Sequence, residues 1–210
     1  MPEGETTPEG AGAEAKAPEP GSVFDYDRTV ALSDGVFAIA ITLLVLDIPT
    51  PTAPGDLWSQ LDDLLPNLGA YALSFVVIAG MWREHHVFFR ELSRIDRRLT
   101  TLNLLYLGLI ALIPFPTGLL AERGGESPAV IVYALTLAAV TGVSAAMRVY
   151  VERRGLGTPS HRTLFQHASV PAVFLLSIPI ALLNPSLGIW SWVLLPILGW
   201  VGDRMEAARA

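Results

Sequence analysis

Residues 28–48 read RTVALSDGVFAIAITLLVLDI, and the architecture of the chain follows from how this stretch is read. It is apolar over a length that helps to cross a hydrocarbon core of about 30 Å, which takes about 20 residues of helix. Arg28 stands at its start, and Ser33 and Asp34 follow within the next two turns. An ionisable group inside a membrane helix is costly enough that it normally has a partner or a task.

Outward from this segment, five further apolar runs follow at 67–89, 98–120, 129–150, 163–183 and 187–202. With 29–48 they predict an all-α membrane protein of six transmembrane helices. The composition agrees: 51% of residues are hydrophobic, only 16% are charged, and the mean hydropathy is +0.46. Soluble domains carry about 25% charged residues. Pro114 and Pro116 fall near the far end of the third run, and Pro171, Pro179 and Pro196 lie within the last two. Such breaks are tolerated where neighbouring helices satisfy the freed backbone groups. Between the first and second runs, DLWSQLDDLLPN (56–67) reads as a short amphipathic helix at the interface.

Residues 1–22 contain five Glu and one Lys among Pro, Gly and Ala, and no large apolar residue after Met1. Such a segment cannot offset its ordering entropy by burial, so a disordered cytoplasmic tail is expected there, with the membrane domain over 23–210. It lacks the basic and apolar regions of a secretory signal. It also carries four of the six net negative charges, which leaves the membrane part near neutral and gives no support for nucleic-acid binding. There is no cysteine, so disulfides and thiolate metal sites are excluded.

Basic residues set the orientation. The segment 83–98, from the end of the second run to the start of the third, holds five Arg, the segment 148–162 at the end of the fourth holds four, and the two terminal regions hold Lys16, Arg28, Arg204 and Arg209. The opposite loops hold only Arg123. Both termini are therefore expected in the cytoplasm, the chain being multi-pass in the cell inner (plasma) membrane. Trp58, Trp190 and Trp192 are expected at the outer interface, and Trp82 and Trp200 at the inner one.

At about 100° per residue and with Ile39 as origin, Leu32, Gly35, Leu43 and Leu46 fall within roughly 40°, and Thr42 about 60° away. Asp34 lies roughly 140° round. On spacing alone this stripe is either a face for packing against another helix or the lining of a pore. Were Ile39 to face a pore, Asp34 would face the bundle, at the depth of Arg83, His85 and His86 on the second helix. A carboxylate paired with one of those three is the economical arrangement; a proton-sensing pair with a His is the alternative.

The motif Arg28, three residues, then Leu32-Ser33-Asp34, continuing Gly35-Val36-Phe37-Ala38-Ile39, resembles the signature of the transmembrane protein 175 family. Those proteins are potassium channels of lysosomes with relatives in bacteria and archaea. Leu32 stands where the family has Phe. The resemblance implies a homotetramer in which the first helix of each subunit lines a central pore. The family's constriction, five positions after the signature Asp, falls on Ile39, and further layers fall on Thr42 or Leu43 and on Leu46. No TVGYG-like segment is present. An apolar ring gates by dewetting, and it strips water from potassium at lower cost than from sodium.

The expected function is thus a passive potassium-selective cation channel with a hydrophobic constriction. It needs no cofactor, has no catalytic residues, and has potassium ions, its own copies and the bilayer as partners. The alternatives are a six-helix secondary transporter of ions or small solutes, and a non-transporting membrane scaffold. The apolar cores of the third to sixth helices lack the Asp, Glu or Lys that proton-coupled carriers usually use. Glu84-His85-His86 lacks metal-ligand spacing, since adjacent residues diverge around a helix. His161 and His167 read as interfacial or packing groups, and Ser144, Ser169 and Ser177 lack a nucleophile context.

Overall fold

The computed structural model describes residues 20–52, 54–158 and 164–192. All regular structure there is helical. The elements are α1 (Pro20–Leu43), continued by a 3-10 turn over Leu44–Asp47, α2 (Leu57–Asp62), α3 (Leu65–Arg90), α4 (Arg97–Leu112), α5 (Pro114–Arg123), α6 (Ser127–Arg154), α7 (Leu164–Leu183) and α8 (Pro185–Ser191). Most of the expected tail over 1–22, most of the sixth predicted helix, His161 and Trp200 lie outside the described residues.

α1 begins at Pro20, earlier than the expected start at 29 and inside the last residues of the expected tail. Proline suits a first helical position because its missing N–H would have no intrahelical partner there. The interfacial helix expected within 56–67 is α2, capped by Asp56, whose carboxylate accepts from the N–H groups of Trp58 and Ser59. The second, fourth and fifth predicted helices correspond to α3, α6 and α7. The third is divided: Pro114 offers no N–H to continue the ladder, so α4 stops at Leu112 and α5 restarts. Thr117 closes the break by donating both its N–H (3.1 Å) and its hydroxyl (2.9 Å) to the Ile113 carbonyl.

Among the described residues, four helical stretches are long and apolar enough to cross a membrane: Tyr26–Asp47, Leu57–Arg90, Arg97–Arg123 and Ser127–Arg154. Ser169–Leu183 is a shorter apolar helix. α6 packs most extensively on α7 and also on α4, α3 packs on α5, and α1 lies against α4 and α3. The core joins Phe37, Ala40 and Leu44 of α1 to Ile78, Leu107, Ile110, Tyr133, Leu137 and Phe174. A tight hairpin links α7 to α8. A Cβ on Gly188 would stand 2.8 Å from the Ala181 Cβ, so glycine is what allows this approach.

Trp58 and Trp190 are largely uncovered, at 78% and 70% exposure, in keeping with an interfacial place. Trp192 is a correction. It is buried, stacks on Tyr133 at 5.0 Å between centroids, and donates from Nε1 to the Ser177 hydroxyl at 3.0 Å. An indole that finds an internal acceptor has no need of the interface.

The connections after α3 and after α6 are clasped together. Ser93 N–H donates to the Leu156 carbonyl (2.9 Å) and Thr158 N–H to the Glu91 carbonyl (3.0 Å). Gly155, with φ of +59°, turns the chain out of α6, and a Cβ on Gly157 would fall 2.6 Å from the Glu91 oxygen.

Candidate functional site

The signature residues divide between two faces of α1. Ser33 is fully buried, and its hydroxyl donates to the Thr29 carbonyl at 2.8 Å while accepting from Asn103 Nδ2 at 3.1 Å. Asn103 Oδ1 lies 2.8 Å from His85 Nε2, which therefore serves as the donor there. The chain Ser33–Asn103–His85 thus ties α1, α4 and α3 inside the bundle. The imidazole lies between Phe89 (centroids 4.3 Å apart) and Tyr106 (5.5 Å), with Phe37 edge-on. Apolar walls and an amide partner hold this ring by packing and one hydrogen bond.

Asp34 departs from expectation. It lies on the exposed side of α1 and accepts from the Trp82 indole Nε1 at 2.9 Å. None of Arg83, His85 and His86 forms that bond. His85 turns inward to Asn103, and His86 stacks on Trp82 at 5.7 Å. Trp82 reaches α1 through this bond, and its neighbour Arg83 is exposed. The carboxylate is thus at the rim of the bundle, with a neutral donor rather than a buried cation. Arg28 is likewise exposed.

The stripe lies on the side of α1 that the rest of the described chain leaves bare. Ser33, Phe37, Ala40 and Leu44 are buried against the rest of the chain, whereas Leu32, Gly35, Ile39, Thr42, Leu43 and Leu46 are exposed. Ile39 is 60% and Leu46 74% exposed. A subunit that covers one face of α1 and leaves an apolar face bare needs something else against that face, lipid or other copies of itself. The Thr42 hydroxyl donates to the Ile39 carbonyl at 2.9 Å, so its proton is committed to its own helix and its oxygen keeps lone pairs that can accept.

Three further polar groupings were not singled out from the sequence. Arg148, nearly buried on α6, donates to the Glu84 carbonyl (3.2 Å) and carboxylate (3.3 Å), and its guanidinium lies over Phe88. Thr117, Ser74 and Tyr133 form a buried hydroxyl cluster, with oxygens 2.8 Å and 3.0 Å apart, beside the α4–α5 break. Asp96 caps α4 at the Leu99 N–H and accepts from the Tyr150 hydroxyl. Partial burial pushes its carboxyl up, but the hydrogen bonds from Tyr150 and from the Leu99 and Arg98 N–H groups outweigh that and hold it below the usual carboxylate range. Asn103 was legible in principle, as the one amide in the apolar run of the third helix. Arg148 was hidden by its count as an orientation charge. Glu84, His85 and His86 engage Arg148, Asn103 and Trp82 respectively, and so diverge rather than converge on a metal.

A family model described as the endosomal/lysosomal potassium channel TMEM175 matches residues 28–114, from the signature Arg to the proline break. A potassium channel of Streptomyces collinus is 46% identical over 134 residues, covering 61% of this chain and 65% of that protein. One of Chamaesiphon minutus is 46% identical over 99 residues, covering 45% and 49%. The chain thus spans less than two thirds of these curated relatives' length. The crystal structure of a lysosomal potassium-selective channel TMEM175 homolog from Chamaesiphon minutus superposes with a TM-score of 0.75 at 31% identity, covering 86% of this chain and 99% of that one.

Proposed function

The chain belongs to the TMEM175 family, and from that premise we propose that it is a passive, potassium-preferring channel of the plasma membrane, a homotetramer with α1 of each subunit around the axis. The observation that carries this reading is the bare, charge-free stripe of α1, opposite a face that the subunit itself covers. In this arrangement Ile39 forms the narrowest ring, with Thr42, Leu43 and Leu46 as further layers towards the outer side. Four isoleucines offer an ion methyl groups only. Dewetting then closes the path, and discrimination rests on potassium shedding water at lower cost than sodium. The Thr42 oxygens, with lone pairs that can accept, give partial compensation. Asp34 and Ser33 act as structural residues: Ser33 locks α1 to the bundle, and Asp34 locks its rim to α3.

The test is ion flux into vesicles holding the purified protein, with potassium and sodium gradients compared. Ile39→Asn supplies oxygen ligands and a wetted path. It should raise flux and lower the preference for potassium, whereas Ile39→Phe should restrict flux. Because Ile39 lies on the exposed face of its own subunit, neither change should prevent folding. Absence of flux from the wild type, or indifference of flux and selectivity to both changes, would overturn the assignment.

A further inference from the structure

At the end of the bundle where α3 and α6 stop and α4 starts, six arginines come to one surface: Arg90, Arg94, Arg97, Arg98, Arg153 and Arg154. All six are exposed. The clasp between Glu91–Arg94 and Leu156–Thr158 fixes the two loops that carry them, and the Tyr150–Asp96 hydrogen bond fixes the start of α4 to the end of α6. Arg154 leans over the Tyr150 ring, 5.8 Å from its centroid. Among the described residues, none of the six forms an ion pair; the pairs present are Arg148–Glu84 and Arg123–Glu126. The same segments hold three acids, Glu91, Asp96 and Glu152, against six arginines; Asp96, held by Tyr150 and by backbone N–H groups, also lies within the field of Arg154.

Two features go beyond what an orientation signal requires. Orientation depends on the number of basic residues near the spans, not on their being held together in a rigid patch. Moreover, Arg97 and Arg98 occupy the first turn of α4, the end of a helix where its dipole disfavours cations. Three spans end at this level, so the patch lies at headgroup depth, where the available anions are phosphodiesters. Guanidinium groups match those in bidentate geometry.

We propose that this arginine surface is a binding site for anionic phospholipid headgroups of the adjoining leaflet, which hold the clasped loops against the membrane. The surface presents fixed positive charge with few internal counterions, and the bilayer presents its complement. Removing one exposed arginine should weaken the lipid about five-fold, and removing three should weaken it on the order of a hundredfold.

The experiment is titration of the full-length protein, purified in a neutral detergent, with phosphatidylglycerol and separately with phosphatidylcholine, bound lipid being counted by native mass spectrometry. The variants are Arg94→Gln/Arg97→Gln/Arg153→Gln, which touches no residue of the proposed pore, and the single changes Arg94→Gln and Arg153→Gln in case the triple variant does not assemble. The expected result is retention of phosphatidylglycerol over phosphatidylcholine by the wild type, loss of that preference in the triple variant, and a partial loss in each single variant. Equal retention of the two lipids by the wild type, an unchanged preference in the variants, or inorganic phosphate binding as tightly as the lipid would overturn the proposal. The readout does not involve ion flux, so its failure leaves the channel reading standing, and the converse also holds.

Discussion

Replacing Asn103 by Leu should destabilise the protein in a way that a second substitution repairs. The amide is 1% exposed and makes two interhelical hydrogen bonds, to His85 at 2.8 Å and to Ser33 at 3.1 Å. Such bonds between membrane helices are worth about 0.6 kcal/mol on average, so the bonds alone account for roughly 1 kcal/mol. Leucine of similar volume also strands the His85 Nε2–H in an apolar wall, and an unsatisfied buried donor costs about 1–3 kcal/mol. Ser33 keeps its own bond to Thr29. The sum is about 2–4 kcal/mol for Asn103→Leu. His85→Phe removes the stranded donor and leaves an aromatic ring between Phe89 and Tyr106. Asn103→Leu/His85→Phe should therefore recover most of the loss, since removing both partners together is close to neutral. The assay is reversible unfolding of the purified protein in mixed detergent micelles, read by circular dichroism for all four members of the cycle. A double variant as unstable as the sum of the two singles would refute the claim that the buried hydrogen bond, rather than each residue separately, sets the cost.

Other outcomes follow from the same structure. Gly188→Ala places a methyl 2.8 Å from the Ala181 Cβ, so it should cost about 1–3 kcal/mol by overpacking, seen as a lower thermal midpoint that Ala181→Gly restores only in part, the Ala181 Cα and Val130 remaining close. Asp96 has a folded pKa below its ordinary value, so its contribution is present above about pH 4 and is lost as the pH falls through the lower folded value. Tyr150→Phe should flatten that part of the stability profile, measured by denaturant unfolding between about pH 2 and 5. Reporter fusions after residue 55 and after residue 210 should report opposite sides of the membrane, the second cytoplasmic, as the arginine bias requires; both on one side would defeat the six-span topology.

Much of the fold was legible because membrane helices announce themselves by length and apolarity, and 3.6-residue periodicity groups Leu32, Gly35, Ile39, Leu43 and Leu46 on one face of α1 without saying whether its own chain covers that face. What was not legible depended on rotation and on partners far apart in sequence. A charged partner for Asp34 rests on depth, but depth does not say which way α3 is turned, and the donor there is Trp82. The interruption of the third span at Pro114 was visible as a proline without its consequence, because whether a proline kinks or divides a helix depends on what closes the break, here Thr117. Trp192 was assigned to the interface by residue type, when the hydroxyl of Ser177 gives it an internal partner. Asn103 carries no charge and no motif, yet a buried amide in an apolar run needs its hydrogen bonds no less than a charged group does.

The central claim, that the bare stripe of α1 lines the conduction path, is tested most directly by adding a thiol to a chain that has none. Ile39→Cys and Leu46→Cys on the stripe are compared with Leu176→Cys, which is 65% exposed on α7, in vesicles loaded for potassium flux and treated with a small charged methanethiosulfonate reagent. The account predicts block of flux at Ile39 and Leu46 and none at Leu176. Unimpaired flux through a fully modified Ile39→Cys protein, or block at Leu176 alone, would contradict it.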